Sequence, residues 1–232
     1  MTRTLITGAN KGLGFETARR LVEAGHTVYL GSRDADRGRV AADELGARAV
    51  PLDVTDEESV RAAAATIEAE GGLDVLVNNA GIAPEWRADN TVVDARELTP
   101  ALIGQTFETN VFGVVRMLHA FLPLLGRSAA PVVVNVSSSL GSLSRLSGHP
   151  GYLGVAYPAS KSALNSLTVQ YAKAFPEIRI NAVCPGFTGT DLNGNSGTQT
   201  VEQGAEVIVR MATIGPDGPT GGYVDVDGPV AW

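Results

Sequence analysis

Short apolar runs alternate with stretches whose apolar residues recur every three to four positions, from one end of the chain to the other. "RTLIT" is an apolar run that ends at a glycine, as a strand entering a turn does. Leu13 to Ala24 then shows helical spacing and stops at Gly25, a helix end. "HTVYLGS" predicts a second strand, and Asp36 to Leu45 a helix closed by Gly46. "RAVPLDV" predicts a third strand, followed by a helix from Asp56 to Glu70 with acids in its first turn, where the helix dipole favours them. "LDVLVNNAG" predicts a fourth strand, and Thr99 to Leu125 reads as one long helix. "PVVVNVSS" is continuously apolar, as a strand covered on both faces must be. Pro158 to Phe175 predicts a helix, "IRINAVCPG" a strand, Val201 to Thr213 a helix and "GGYVDVDG" a last strand.

Strands alternating with helical crossovers predict an α/β fold: a doubly wound, Rossmann-type sheet of seven parallel strands with helices on both faces. No Pro/Gly/Ser-rich linker and no repeat divides the chain, so residues 1–232 read as a single domain with ligands at the carboxyl ends of the strands. Two long stretches lack a pattern, Ile82–Leu98 and Leu140–Ala156, and long loops in a compact domain are usually functional.

Composition narrows the partners. The formal net charge is -7 and there is no basic run, which argues against nucleic acid and anionic membranes. The apolar run Val132–Val134 is far too short to span a bilayer, and the N-terminus enters a strand pattern directly, unlike a signal peptide. The expectation is a cytoplasmic protein. Cys184, the one cysteine, rules out an internal disulfide and a cysteine-clustered metal site, and reads as a small buried hydrophobe. His26 and His119 lack metal-ligand spacing, so no metal is expected.

The chemistry starts at "TGANKGLG", between the first strand and the first helix. Gly8, Gly12 and Gly14, with Asn10, Lys11 and Leu13 between them, form a turn where missing Cβ atoms permit close approach. The helix N-terminus beyond offers free N–H groups to a pyrophosphate. In such folds the second strand ends near the adenosine ribose, where an acid binds a 2′-hydroxyl and an arginine a 2′-phosphate. Here that strand ends "LGSRD". Arg33 and Lys11 favour NADP(H); Asp34, if the strand end lies two residues later, would restore NAD(H).

"TGANKGLG", "NNAG" (Asn78–Gly81), "TNVFG" with Asn110, "NVSS" with Ser138, "YPASK" with Tyr157 and Lys161, and "PGFTGT" occur in order across the chain. Any one of them is weak; together they closely resemble a single-domain short-chain dehydrogenase/reductase of the carbonyl-reductase-like kind. The resemblance implies a catalytic set of Asn110, Ser138, Tyr157 and Lys161. Pro158 suits the first turn of a helix, and Tyr157 and Lys161, four residues apart, then share one face. A free tyrosine has a pKa of ~10, and a nearby cation lowers it. Tyr157 is therefore expected as general acid in reduction and general base in oxidation, tuned by Lys161. Ser138 is expected to hold the substrate oxygen.

Other roles come from the resemblance alone. Lys161 would bind the nicotinamide ribose beside Tyr157, and Asn110 would hold a water linking Lys161 to solvent. Asp53 and Val54 would lie at the adenine, and Asn79, Ala80 and Gly81 along the ribose. Pro185, Gly186, Phe187 and Thr190 would embrace the nicotinamide carboxamide, although Phe187 also fits a core aromatic. His149, Tyr152 and Trp86, in the long stretches, are candidates for a substrate pocket. The segment from Ser138 to Tyr157 spans 19 residues, longer than is common in simple family members. Family members of this kind are commonly homodimers or homotetramers built on the two long helices.

The leading expectation is an NADP(H)-dependent enzyme acting on a small carbonyl or alcohol. A catalytically silent NADP(H)-binding regulator or scaffold is the alternative. A lyase or epimerase on this fold usually carries a larger C-terminal substrate domain than the residues after "GGYVDVDG" provide.

Overall fold

Alternate residues of each central strand bury apolar side chains on opposite faces, and this decides the layering. The computed structural model describes residues 1–87, 89, 91–148 and 154–232. Its strands are β1 (Arg3–Ile6), β2 (Thr27–Ser32), β3 (Arg48–Pro51), β4 (Val75–Asn78), β5 (Val132–Val136), β6 (Arg179–Val183), β7 (Tyr223–Asp225) and β8 (Gly228–Pro229). They form one sheet in the order β3-β2-β1-β4-β5-β6-β7-β8. Pairing from β3 to β7 is parallel, and the strand order reverses between β1 and β4.

The helices are α1 (Gly12–Glu23), α2 (Ala35–Leu45), α3 (Glu57–Ala69), α4 (Pro100–Phe107), α5 (Gly113–Leu125), α6 (Leu143–Leu146), α7 (Ala156–Ala174) and α8 (Val201–Ala212). On one face Leu5, Tyr29, Leu76 and Val133 pack with Ile67, Met117, Phe121 and Leu164 from α3, α5 and α7. On the other, their neighbours Ile6, Leu30, Val77 and Val134 pack with Leu21, Ala41, Ile208 and Met211 from α1, α2 and α8. The doubly wound architecture follows from these two layers.

Two expectations need correction. Among the described residues the sheet has eight strands, not seven: the chain turns back after β7, and the two-residue β8 pairs antiparallel with it. So short a strand carries no period-2 signal. The predicted helix Thr99–Leu125 is interrupted by a π turn, Glu108–Phe112, between α4 and α5. Both of its ends keep helical dihedrals, so an apolar pattern reads through it; the hydrogen-bond span changes, from i→i−4 to i→i−5.

The described parts of the long stretches are organised. Between Ile82 and Leu98, Trp86 bridges Val92, and the Arg87 and Val93 N–H groups donate to the carbonyls of Thr91 and Glu85. After β5, a 3₁₀ turn (Ser139–Gly141) and α6 are pinned by the C-terminal residues: Ser142 Oγ donates to the Ala231 carbonyl at 2.6 Å, and Tyr223 stacks on Trp232 with ring centroids 5.3 Å apart. His149 and Tyr152 lie outside the described residues. Cys184 is buried with Ala182, Tyr223 and Val230, as expected, and its sulfur accepts from the Ser139 N–H.

Candidate active site

The glycine turn after β1 is closed by its neighbour strand β4. Gly8 has φ +62, and a Cβ there would lie 3.0 Å from the Ala80 Cα. A Cβ on Gly14 would lie 2.5 Å from Asn79 Nδ2 and 2.6 Å from the Gly8 carbonyl oxygen. Both positions require glycine, the first for conformation and the second for space. Asn79 Nδ2 donates to the Thr7 and Gly8 carbonyls, and Thr7 Oγ1 accepts from the Asn79 and Ala80 N–H groups. The Asn79 amide nitrogen is thus spent on holding the turn.

Across the turn stands the segment after β6. The Cβ position of Gly12 lies 3.7 Å from Thr190 Cγ2, and Lys11 Nζ pairs with Asp191 Oδ2 at 2.5 Å on the surface. Thr190 starts a short 3₁₀ turn, Asp191–Asn193. Pro185 and Gly186 follow β6, and Gln199 Nε2 donates to the Pro185 carbonyl and to Thr188 Oγ1. Phe187 is 46% exposed, which overturns its reading as a core aromatic.

At the end of β2, Arg33 is exposed and has no ion pair to a described residue. Asp34 is the N-cap of α2: it accepts from the Arg37 N–H at 3.0 Å and pairs with the Arg37 guanidinium at 3.2 Å. A shallow hollow lined by Asn10, Lys11, Phe15, Arg37, Val40 and Asp191 adjoins this corner. After β3, Asp53 Oδ1 accepts from the Thr55 N–H and hydroxyl, and Val54 packs under Gly113. Leu13 is partly buried against the α1 and α8 layer.

The predicted catalytic residues converge at the ends of β4 and β5. Lys161, 4% exposed, donates from Nζ to the Val136 carbonyl at 2.7 Å, and the same nitrogen lies 5.5 Å from the Tyr157 ring centroid. Gly81 faces Asn110 and Lys161: its Cβ position is 3.4 Å from Asn110 Oδ1 and 3.7 Å from Lys161 Nζ. Asn110 is fully buried in the π turn. Its amide clamps the Ile82 backbone, accepting from the N–H and donating to the carbonyl, both at 2.9 Å, and it also donates to Ser160 Oγ. Ser138 follows β5; its carbonyl accepts from the Tyr223 hydroxyl at 2.6 Å, and its own hydroxyl accepts from the Leu140 N–H.

A family model described as "short chain dehydrogenase" matches residues 2–201. The chain belongs to the short-chain dehydrogenase/reductase family. It is 35% identical to a (+)-neomenthol dehydrogenase of Arabidopsis thaliana, with 90% of each chain covered. That alignment spans 272 positions, more than the 232 residues here, so the relative carries insertions that this chain lacks. Among solved structures it resembles salutaridine reductase from Papaver somniferum, with a TM-score of 0.84 and 31% identity over 96% of this chain and 99% of that one. It also resembles the NADPH-bound carbonyl reductase from chicken fatty liver, with a TM-score of 0.85 and 28% identity over 100% of this chain and 99% of that one.

Electrostatics in this short-chain dehydrogenase/reductase differ from the expectation at one point. Burial pushes the Tyr157 phenol well above its usual range, with the Ser138 hydroxyl pulling the other way. Burial also pushes Lys161 down to about 8. Desolvation dominates the shift of the phenol, while Lys161 Nζ, 5.5 Å from the ring centroid, is bonded to the Val136 carbonyl.

Sequence reasoning missed one side chain here. Glu85 is fully buried, and its carboxylate accepts from the Val155, Ala156 and Tyr157 N–H groups at 3.0, 2.7 and 2.9 Å. A lone acid in a stretch without periodicity gives no sign of this.

Proposed function

We propose that this chain, folded as one domain, is an NADP(H)-dependent oxidoreductase interconverting a ketone or aldehyde with the corresponding alcohol. The observation that carries this is the convergence of buried Lys161 with partly buried Tyr157 and Ser138 at the ends of β4 and β5, next to a tight glycine turn in which Cβ atoms on Gly8 and Gly14 would meet Ala80, Asn79 and the Gly8 carbonyl.

The dinucleotide would lie across that turn. The turn Gly8–Gly14, with Asn10, Lys11 and Leu13, would hold the pyrophosphate on the N-terminus of α1. Asp53 and Val54 would border the adenine, and the backbone of Asn79, Ala80 and Gly81 the ribose. Pro185, Gly186, Phe187 and Thr190 would border the nicotinamide. NADP(H) is favoured over NAD(H) because Asp34, the residue that would bind a 2′-hydroxyl, is engaged in capping α2, while Arg33 is unpaired among the described residues. Lys11 would exchange Asp191 for the 2′-phosphate. The NADPH-bound carbonyl reductase it resembles supports the same choice.

When bound, the nicotinamide supplies or accepts the hydride. The chain's own residues do the rest. Ser138 holds the substrate oxygen and stabilises negative charge developing on it. Tyr157 donates its proton to that oxygen, and takes it back in the oxidation direction. A phenol kept protonated by burial still donates downhill, because an alkoxide is the stronger base. Lys161 binds the cofactor's ribose and supplies positive charge next to the phenol. Asn110 has committed its side chain to Ile82 and Ser160, so a water relaying protons to Lys161 would need partners other than this amide.

Tyr157→Phe tests the reading. The ring and its packing stay, so folding and NADPH binding should persist, while single-turnover carbonyl reduction should fall by about 10²–10⁴-fold. A variant that keeps most of its rate would refute the role. Wild-type protein that binds NADPH and reduces nothing in a broad carbonyl panel would favour a silent regulator instead.

We also propose a cytoplasmic homodimer or homotetramer built on α5 and α7. Phe112, 48% exposed where the π turn meets α5, is an apolar side chain a partner would cover. No helix among the described residues is long and apolar enough to cross a membrane.

A further inference from the structure

The start of α7 has an unusual set of donors. The N-cap residue, Val155, has no side chain able to cap, and no side-chain cap is formed from it. The N–H groups left over are those of Val155, Ala156 and Tyr157, since Pro158 has none and the Ala159 N–H already donates to the Val155 carbonyl. All three donate to one carboxylate, that of Glu85, about seventy residues earlier in the chain: Oε2 takes Val155 and Ala156, and Oε1 takes Tyr157. Glu85 is 0% exposed. Its charge is met by the positive end of the α7 dipole and by charge-assisted hydrogen bonds, which are shorter and stronger than neutral ones.

We propose that Glu85 is the positioning residue of the catalytic tyrosine: its carboxylate caps α7 from another loop and thereby fixes where Tyr157 stands against Ser138, Lys161 and the nicotinamide. The inference rests on the reading of Tyr157 as proton donor. One of the three bonds ends on the tyrosine's own N–H, so the anchor acts at the residue that does the chemistry. The rest of the helix start lacks an alternative: Pro158 cannot donate, and Ala156 is fully buried, out of reach of water. The loop that supplies Glu85 is itself braced, since the Glu85 carbonyl accepts from the Val93 N–H and the Trp86 N–H donates to the Ala83 carbonyl.

The test uses Glu85→Gln, which keeps the volume and one strong acceptor oxygen, and Glu85→Ala, which keeps neither. Thr99→Ala serves as a control, because it removes the exposed N-cap of α4, a comparable loss of helix capping away from Tyr157. Single-turnover hydride transfer should fall by roughly 10-fold in Glu85→Gln and by up to roughly 100-fold in Glu85→Ala, the scale of a reacting group displaced by about 1 Å. NADPH affinity should stay within about 3-fold, since no cofactor contact is removed. Without any cofactor, amide hydrogen exchange at Val155, Ala156 and Tyr157 should lose protection in both Glu85 variants and keep it in Thr99→Ala.

A folded Glu85→Gln or Glu85→Ala that transfers hydride within about 3-fold of wild type would overturn the proposal. So would a loss of NADPH affinity as large as the loss of rate, which would mark a general structural defect. If Glu85→Ala does not fold, Glu85→Gln decides. Tyr157→Phe, run in parallel, separates the two ideas. If Tyr157→Phe keeps its rate, the reading of Tyr157 fails, whatever Glu85 does. If Tyr157→Phe is inactive and the Glu85 variants are fully active, only the positioning role fails.

Discussion

Lys161→Met should make the protein more stable at pH 7 while removing its chemistry. The ammonium is 4% exposed, and burial pushes its pKa from the usual 10.5 down to about 8. At about 1.4 kcal/mol per pH unit, that depression makes the charged form cost about 3 kcal/mol of stability. The sign follows from proton binding. Between about pH 8 and 10.5 the unfolded chain keeps a proton that the folded chain has released, so this group's contribution to stability rises with pH there, and its cost is full below pH 8. Methionine has a similar length and no charge. Its gain is reduced by the lost bond to the Val136 carbonyl, about 1 kcal/mol, leaving about 2 kcal/mol at pH 7. For a chain of this size, ~2–4 °C per kcal/mol gives a Tm increase of ~4–8 °C. Urea unfolding of both proteins at several pH values from 7 to 10.5 would follow the difference, which should shrink through the window and reverse before its upper end. A methionine variant less stable than wild type at pH 7, or a difference that does not change with pH, would refute the reasoning. Hydride transfer, measured on the same samples, should be lost.

Arg33→Ala should weaken NADPH binding by roughly 10–100-fold, the worth of one charge-assisted contact, and leave NADH unchanged; equal affinities in wild type would sink the NADP(H) assignment. Gly14→Ala forces a Cβ against the Asn79 amide and the Gly8 carbonyl, so it should cost about 2–3 kcal/mol and abolish cofactor binding, whereas Gly104→Ala, in open space on α4, should gain about 1 kcal/mol; thermal melts and NADPH titration of both check this. Light scattering at micromolar concentration should return a dimer or tetramer, and a monomer would refute the proposed assembly.

What the sequence reveals here depends on how local the cause is. Strands β1 to β7 were legible because each is a short apolar run, and the glycine turn because Gly8 and Gly14 answer a local demand for backbone angle and space. The π turn was not, since Glu108–Phe112 keeps helical dihedrals at both ends and an unbroken pattern. Tyr157 and Lys161 were legible as a pair on one helix face. Their electrostatics were not, because desolvation by the packed neighbours outweighs the one charge that spacing brings close. The Asn78–Asn135–Thr168 chain, with amide-to-oxygen distances of 2.9 Å, likewise joins β4, β5 and α7 beneath the site through contacts no local pattern encodes.

The residues after β4 bind these parts into one unit. Asn79 holds the glycine turn through the Thr7 and Gly8 carbonyls. The Ile82 backbone is clamped by Asn110 of the π turn, and Glu85 takes the first N–H groups of α7. Seven consecutive residues, Asn79 to Glu85, thus touch the candidate cofactor cradle, the candidate relay and the helix carrying Tyr157 and Lys161. Two of these clamps, Asn110 and Glu85, use a buried amide and a buried carboxylate, groups that cost free energy unless fully hydrogen-bonded. Shifting the segment would therefore break several of these bonds together, and that links the geometry of the cradle to the placement of the phenol. "NNAG" reads as a strand end near a cofactor; the mechanical role of the segment from Asn79 to Glu85 comes from Thr7, Asn110 and Val155–Tyr157, which only the folded chain brings to it.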